Sequence, residues 1–470
     1  MHLSVEDWVV VGGYGLLLLL IGFGIVPRIR GERASEAEEY LLAGRRLTLP
    51  LFVATLVATW YGAIIGVGEF VHRYGVVAWL CVGVPYYLVA FVFAFAIAGR
   101  IRASQTLTIP QQMCLLYGQQ AGRIAALVML LITIPASYLL MLATLLQAIT
   151  GWSLEIALVV GALFSVAYLY TGGFRADVLT NALQFVLMYA GFAVLLGFCV
   201  QRWGSPLQMW QALPPAHRSV PGLLGWSGIA VWFLIALQTF VDPSFYQRCA
   251  AARSVRTARM GIAISVLFWL LFDAISITTA LYARAFVPTE PLNTYPALAE
   301  AVLPVGWKGV FVVALFAAVM STLESYAFLS AATVGHDLLS EIPGLKGRYS
   351  VRRLTQIGLL LTMGMGIGMA GLIPSAVELI VRTASLAVPA LLFPFVFGYT
   401  QRFRLPKNRV APLMGLTTLS AAVWMLLGEL RLLPGTWHVV QPAFVGLVVG
   451  LGISLLWMRR NHGTVAVDGF

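Results

Sequence analysis

Residues 48 to 69 read TLPLFVATLVATWYGAIIGVGE, an apolar run that carries Gly62, Gly66 and Gly68 in its middle and later half. A hydrocarbon core of about 30 Å is crossed by about 20 helical residues, so the run is long enough to span a bilayer. Glycines loosen a helix, and any backbone carbonyl they free must find a partner inside the protein, because lipid offers none. A bound cation and substrate are natural partners. The same residues also form a small-xxx-small face, Gly62-xxx-Gly66, suited to close helix packing, and on the residues alone both readings stand.

Working outward, the run is one of thirteen: 4–27, 48–69, 76–99, 122–149, 154–171, 178–201, 224–243, 258–284, 308–338, 353–373, 375–400, 410–432 and 438–458. With 60% hydrophobic and 10% charged residues, the chain has more apolar surface than a water-soluble core can hide. The first run follows Glu6-Asp7, with no basic segment before it and no small-residue cleavage site after it, so it reads as a retained helix. If the thirteen runs alternate in direction, 23 of the 30 Lys and Arg fall on one side, from Arg28 through Arg248 to Arg460. Six fall opposite (Arg73, Arg202, Arg218, Arg284, Lys308, Arg431), and Arg382 lies within a run. The positive-inside rule then sets the N-terminus outside and the C-terminus in the cytoplasm of a multi-pass cell-membrane protein. The net charge of +11 follows from this topology and from contact with anionic lipid, and no basic helix or aromatic platform supports nucleic-acid binding.

The loops, about 202–223, 285–307 and 339–352, are too short for a soluble domain. The expected organisation is an extra N-terminal helix and cytoplasmic loop (1–47), a first repeat (48–201), an extracellular loop (202–223), a second repeat (224–400), then two peripheral helices and a short cytoplasmic tail (401–470). Five spans per repeat make the second enter the bilayer in the opposite sense to the first. Such a five-plus-five inverted repeat is an architecture of many secondary transporters. The first span of the second repeat is interrupted too, by Asp242-Pro243 after Gln238.

Several separated segments carry a resemblance. Glu39-Tyr-Leu-Leu-Ala-Gly-Arg-Arg-Leu47, Tyr170-Thr-Gly-Gly-Phe-Arg-Ala176, Tyr246-Gln-Arg248 with Ala251-Ala-Arg-Ser254, and Ala317-Ala-Val-Met-Ser-Thr322 with Ser325 together resemble the sodium:solute symporter family, over about residues 36–400 and in order. The resemblance implies an all-α integral membrane protein of the leucine-transporter fold that imports a small solute with Na+ by alternating access. It also implies a sodium site where the interrupted span meets the run 308–338: the carbonyls of Ala58, Tyr61 and Ala318 with the hydroxyls of Ser321 and Thr322. A small hard cation wants several oxygen ligands. On the residues alone, the two hydroxyls could equally bond back to carbonyls one turn earlier.

Many members carry a carboxylate after Thr180, where this chain has Asn181; Glu324, beside Ser325 in an apolar run, is a candidate to replace it near the ion route or to accept a proton. An intramembrane carboxylate costs about 2.5 to 3.5 kcal/mol on insertion scales, so it should face inward and have a partner. The resemblance puts substrate at the midplane, with Ile65, Glu69, Gln238, Trp269, Asp273 and Arg382 as candidate contacts. Ile65, Gly83 and Val84 stand where sugar-carrying relatives are polar, which favours an acid, an amino acid or an amphiphile. Glu378 and Arg382, four apart, also suit an ion pair, and Trp226, Trp232, Phe233 and Phe240 suit either a gate or the membrane interface. Proton coupling is the alternative within transport, and a transporter-like sensor the alternative outside it. Among enzymes, no HExxH, GxSxG or Walker motif occurs, and Cys81, Cys114, Cys199 and Cys249 form neither a CxxC pair nor a zinc site. The oligomeric state has no sequence signature.

Overall fold

The structure, a computed structural model, describes residues 2–24, 36–400, 403–435, 437 and 440–460, the last two of residues 440–460 by backbone only. Arg28, Arg30, Arg33 and Arg402 of the charge tally, the side chains of Arg459 and Arg460, His438 and the tail from 461 lie outside the described residues. The apolar runs become helices in order: α1 Val5–Gly24, α2 Leu49–Trp60, α3 Ile64–Tyr74, α4 Val77–Ser104, α5 Gln119–Thr150, α6 Leu154–Trp203, α7 Gly225–Ala251, α8 Val255–Phe286, α9 Trp307–Glu341, α10 Val351–Leu372, α11 Ala376–Gly398, α12 Lys407–Glu429 and α13 Pro442–Trp457. Several start on a serine whose hydroxyl accepts a free backbone N–H of the first turn: Ser153 from Ile156, Ser254 from Thr257, Ser350 from Arg353 and Ser375 from Glu378. The one sheet among the described residues pairs Phe403–Arg404 with Arg459–Arg460.

Among the described residues ten helices are long and apolar enough to cross a membrane, or eleven if the bent pair α2 and α3 is one span. The protein is therefore a multi-pass membrane protein. Two features separate this count from the thirteen expected. Helix α13 has only 16 residues, and α6 runs for 50. Fifty residues would stretch about 75 Å if straight, more than twice the hydrocarbon thickness. Gly173 (φ 57°, ψ −150°) breaks α6, and a Cβ there would lie 2.7 Å from the Tyr40 ring and 2.8 Å from its carbonyl oxygen.

The core is organised around α9, of whose most apolar stretch 89% is buried. From Phe311 to Ala332 nearly every residue is buried, whatever face it lies on, as in a helix surrounded by others. Its closest neighbour is α6: a Cβ on Gly191 would meet Ala314 at 2.3 Å, so the glycine is what lets the backbones approach. At the start of α9, the buried carboxylate of Asp7 in α1 accepts the Gly309 N–H at 2.7 Å, where helix N–H groups lack partners. Helix α2 lies against α8 across Gly261, where a Cβ would meet the Phe52 ring at 2.3 Å.

One boundary corrects the sequence reading. The run 224–243 continues through a 3₁₀ stretch, Ala236–Val241, past Asp242 and as helix to Ala251. Arg248, assigned to a loop in the charge tally, is therefore inside the bundle and completely buried.

Candidate functional site

The helical bonding of α2 ends at Trp60, and after Tyr61, Gly62 and Ala63 the chain resumes as α3 at an angle of 57°. Residues 58–62 face α9 at its centre. Ser321 Oγ lies 2.9 Å from the Ala58 carbonyl and 3.0 Å from that of Ala318, and donates to them. Thr322 Oγ1 donates to the Thr59 carbonyl at 2.8 Å and lies 3.4 Å from Ala318 O. Four of the five residues named from sequence (Ala58, Ala318, Ser321, Thr322) thus come together. The Tyr61 carbonyl accepts from Ile64 N at 3.0 Å, and Thr59, not singled out from sequence, contributes its carbonyl. Gly62 is required for the approach, since a Cβ there would fall 2.5 Å from Thr322 Cβ and 2.6 Å from its hydroxyl.

A second polar cluster adjoins the first through Thr59, whose side chain points away from Thr322. Its hydroxyl lies 3.1 Å from Ser325 Oγ. Arg248 Nη2 reaches Ser325 Oγ at 2.7 Å, Thr59 Oγ1 at 2.9 Å, Thr55 Oγ1 at 3.0 Å and Asp177 Oδ2 at 3.1 Å. Asn181 Nδ2 donates to the same group, with Thr55 Oγ1 at 3.0 Å and Asp177 Oδ1 at 3.2 Å. The Asp177–Arg248 ion pair is fully buried on both sides. A carboxylate does stand at this site, then, one turn before Asn181. Little in the sequence signals it: Asp177 falls in the short gap between the runs 154–171 and 178–201, near Arg175, and Arg248 follows Asp242-Pro243 past the end of the run 224–243.

Glu324 points elsewhere. It accepts from Thr180 Oγ1 at 3.1 Å and Gln184 Nε2 at 3.3 Å, with the Tyr168 hydroxyl beside it. Its neighbours are neutral donors, and no basic side chain among the described residues pairs with it.

On the other side of the α2–α3 break is an aromatic group. Trp60 packs at 5.1 Å from both Tyr86 and Trp269 and 5.8 Å from Phe245. Asp273 accepts from Tyr61 Oη at 2.9 Å and also from the Tyr87 hydroxyl. Gln238 donates to Tyr86 Oη at 3.3 Å. Asp273, Trp269 and Gln238 therefore line one region, and Ile65, the second residue of α3, is half-buried. The other two candidates are not brought to it by any hydrogen bond or ion pair. Glu69 pairs with Arg73 at 2.9 Å near the end of α3. Arg382 is held at the surface between Glu378, at 2.6 Å, and Glu429. Of the aromatic run in α7, Trp226 and Phe233 are exposed, 66% and 41%, as side chains facing lipid are.

An interrupted helix crossing a continuous one with two hydroxyls and several carbonyls at the crossing defines a class of membrane carrier. Residues 40–404 match the sodium:solute symporter family, and the chain belongs to that family. The Escherichia coli (strain K12) sodium/proline symporter is 26% identical, over 93% of this chain and 90% of its own. The mouse sodium/glucose cotransporter 4 is 26% identical over 71% of this chain, but the match spans only 55% of that protein. In three dimensions, a solved Na+-coupled sialic acid symporter in a substrate-bound outward-open state superposes with a TM-score of 0.75, covering 97% of this chain and 99% of its own at 13% identity. The fold is the leucine-transporter-like one expected from the motifs.

Proposed function

We propose that the chain is a sodium-coupled symporter that imports a small solute by alternating access, with sodium held between Ala58, Tyr61, Ala318, Ser321 and Thr322. The observation that carries this reading is the meeting of the Ser321 and Thr322 hydroxyls with the carbonyls at the α2 break. Each hydroxyl now donates to a carbonyl. A cation between them would let the same oxygens all turn lone pairs inward, and a neutral set of ligands releases its ion readily because no fixed charge holds it. Family membership and the sodium-coupled relatives support the ion.

The solute is read as an amino acid, an organic acid or an amphiphile lying against Trp60, Trp269 and Phe245. Asp273, Tyr61, Tyr87 and Gln238 would orient its polar groups, as a few polar groups in an apolar pocket do. The topology in this reading is thirteen spans, α2–α3 and α13 counting as one each and α6 as two. Residues 48–201 and 224–400 are then inverted repeats, with the N-terminus outside. The test begins with a thermal-shift screen of purified protein against small metabolites in sodium and in choline, since a ligand stabilises the folded state it occupies. Uptake of the hit into liposomes under an imposed sodium gradient follows. Uptake that ignores the sodium gradient and follows a proton gradient would overturn the reading.

Proton coupling is the second reading, favoured by Glu324, a buried carboxyl surrounded by neutral donors. Such a group can give and take a proton without breaking an ion pair. Glu324→Gln should flatten the pH dependence of uptake or shift sodium affinity; if both stay as they were, Glu324 is structural.

A further inference from the structure

The geometry points to a second cation cage beside the first, formed by Thr55, Thr59, Ser325, Asp177 and Asn181 and occupied by the protein's own Arg248, so that the carrier couples to one sodium per cycle. The inference rests on the sodium reading above, and three observations carry it. First, Arg248 Nη2 has two hydrogens and four oxygens within 3.1 Å: Ser325 Oγ, Thr59 Oγ1, Thr55 Oγ1 and Asp177 Oδ2. A directional donor has no use for four acceptors, whereas a spherical cation does. Second, the guanidinium is not used as a fork. Its usual buried role is a pair of parallel bonds to one carboxylate, yet Asp177 is met by one nitrogen only, and Arg248 Nε is buried without a hydrogen-bond partner among the described residues. Third, Asn181 Oδ1 is likewise buried and unpaired while its Nδ2 faces the oxygens. Rotating the amide by half a turn would present Oδ1 to the cage as a further ligand and satisfy it.

One carboxylate, three hydroxyls and an amide oxygen suit a singly charged hard cation. In the structure the guanidinium supplies that charge, stacked 5.4 Å from the Phe174 ring. Thr59 joins the two sites: its carbonyl faces Thr322 and its hydroxyl faces Arg248. A charge in one is therefore felt in the other, and Asp177 screens the ion in the cradle from the fixed guanidinium.

The experiment measures radiolabelled sodium binding to the purified full chain, with choline as the replacement cation. Wild type should bind one equivalent. Arg248→Gln, which keeps a donor but removes the charge, should bind two, and the double variant Asp177→Asn with Arg248→Gln should return to one. Asp177→Asn alone should stay at one equivalent but weaken it at least tenfold, since the guanidinium is then unscreened. One equivalent in both wild type and folded R248Q, or two in wild type, overturns the proposal. If R248Q does not fold, unchanged sodium affinity in D177N overturns it. No binding by wild type with one equivalent in R248Q would sustain the cage while removing the Ser321/Thr322 cradle.

Discussion

Gly62→Ala is a one-methyl test of the crossing between α2 and α9. The added Cβ would lie 2.5 Å from Thr322 Cβ, 2.6 Å from its Oγ1 and 2.7 Å from its Cγ2. Thr322 cannot rotate clear, because the nearest atom is its own Cβ, so the two backbones must part by about 1 Å to restore van der Waals contact. Overpacking of this kind costs about 1–3 kcal/mol. The larger effect is on ligand geometry, because ion–ligand distances tolerate only about 0.2 Å and the carbonyls of Ala58 and Thr59 would withdraw from Ser321 and Thr322. Sodium affinity should fall at least tenfold, or about 1.4 kcal/mol. Gly66→Ala is the internal control: it lies on the same span, its Cβ would meet nothing within 4 Å, and alanine favours the helix by about 1 kcal/mol. The assay is thermal stability of purified protein against sodium chloride, with choline chloride as blank. Equal sodium responses in G62A and wild type, or equal damage in G62A and G66A, would refute the argument.

Replacing Ser321 and Thr322 together with alanine should abolish sodium-dependent stabilisation, which at a hundred times the dissociation constant amounts to about 2.7 kcal/mol; equilibrium melts in sodium and choline check this. Gly173→Ala puts a side chain at φ +57° and against Tyr40, and should lower the melting midpoint whether or not sodium is present, by about 1–3 kcal/mol in stability. Arg382→Ala breaks a surface pair with Glu378 and Glu429 and should cost less than about 1 kcal/mol, leaving solute uptake at the wild-type level; a collapse of uptake would instead assign Arg382 to substrate.

The apolar helices were legible because apolar length is a matter of local composition; the residues at the α2–α9 crossing were named through the family resemblance, since adjacent hydroxyls by themselves can equally bond back along their own helix. Arg248 was misplaced for a physical reason. Asp242-Pro243 looks like a helix end, since proline cannot extend a preceding turn, but here Asp242 accepts the N–H groups of Ser244 and Phe245 and starts a new helix in the same span. A charge that would sit on a loop was thereby carried into the core. Asp177 was missed with it, since an isolated aspartate acquires meaning only when its partner, 71 residues away, is known to share the interior. Arg382 shows the opposite limit: a charge in an apolar run looked internal, but α11 presents that face to α12, and tertiary packing alone reveals the surface pair with Glu429.

The chain on either side of the two interrupted helices is stitched by its backbone. Leu47 N–H donates to Ala251 O at 3.0 Å, and Arg253 N–H donates to Leu47 O at 3.1 Å, so the strand leading into α2 and the one leaving α7 form a short parallel clasp. Arg45 adds a side-chain strut to Ala250 O at 3.0 Å. A clasp of this kind makes the two segments a single lever, and the amide protons of Leu47 and Arg253 become reporters that exchange with solvent deuterium only when the lever is pried apart.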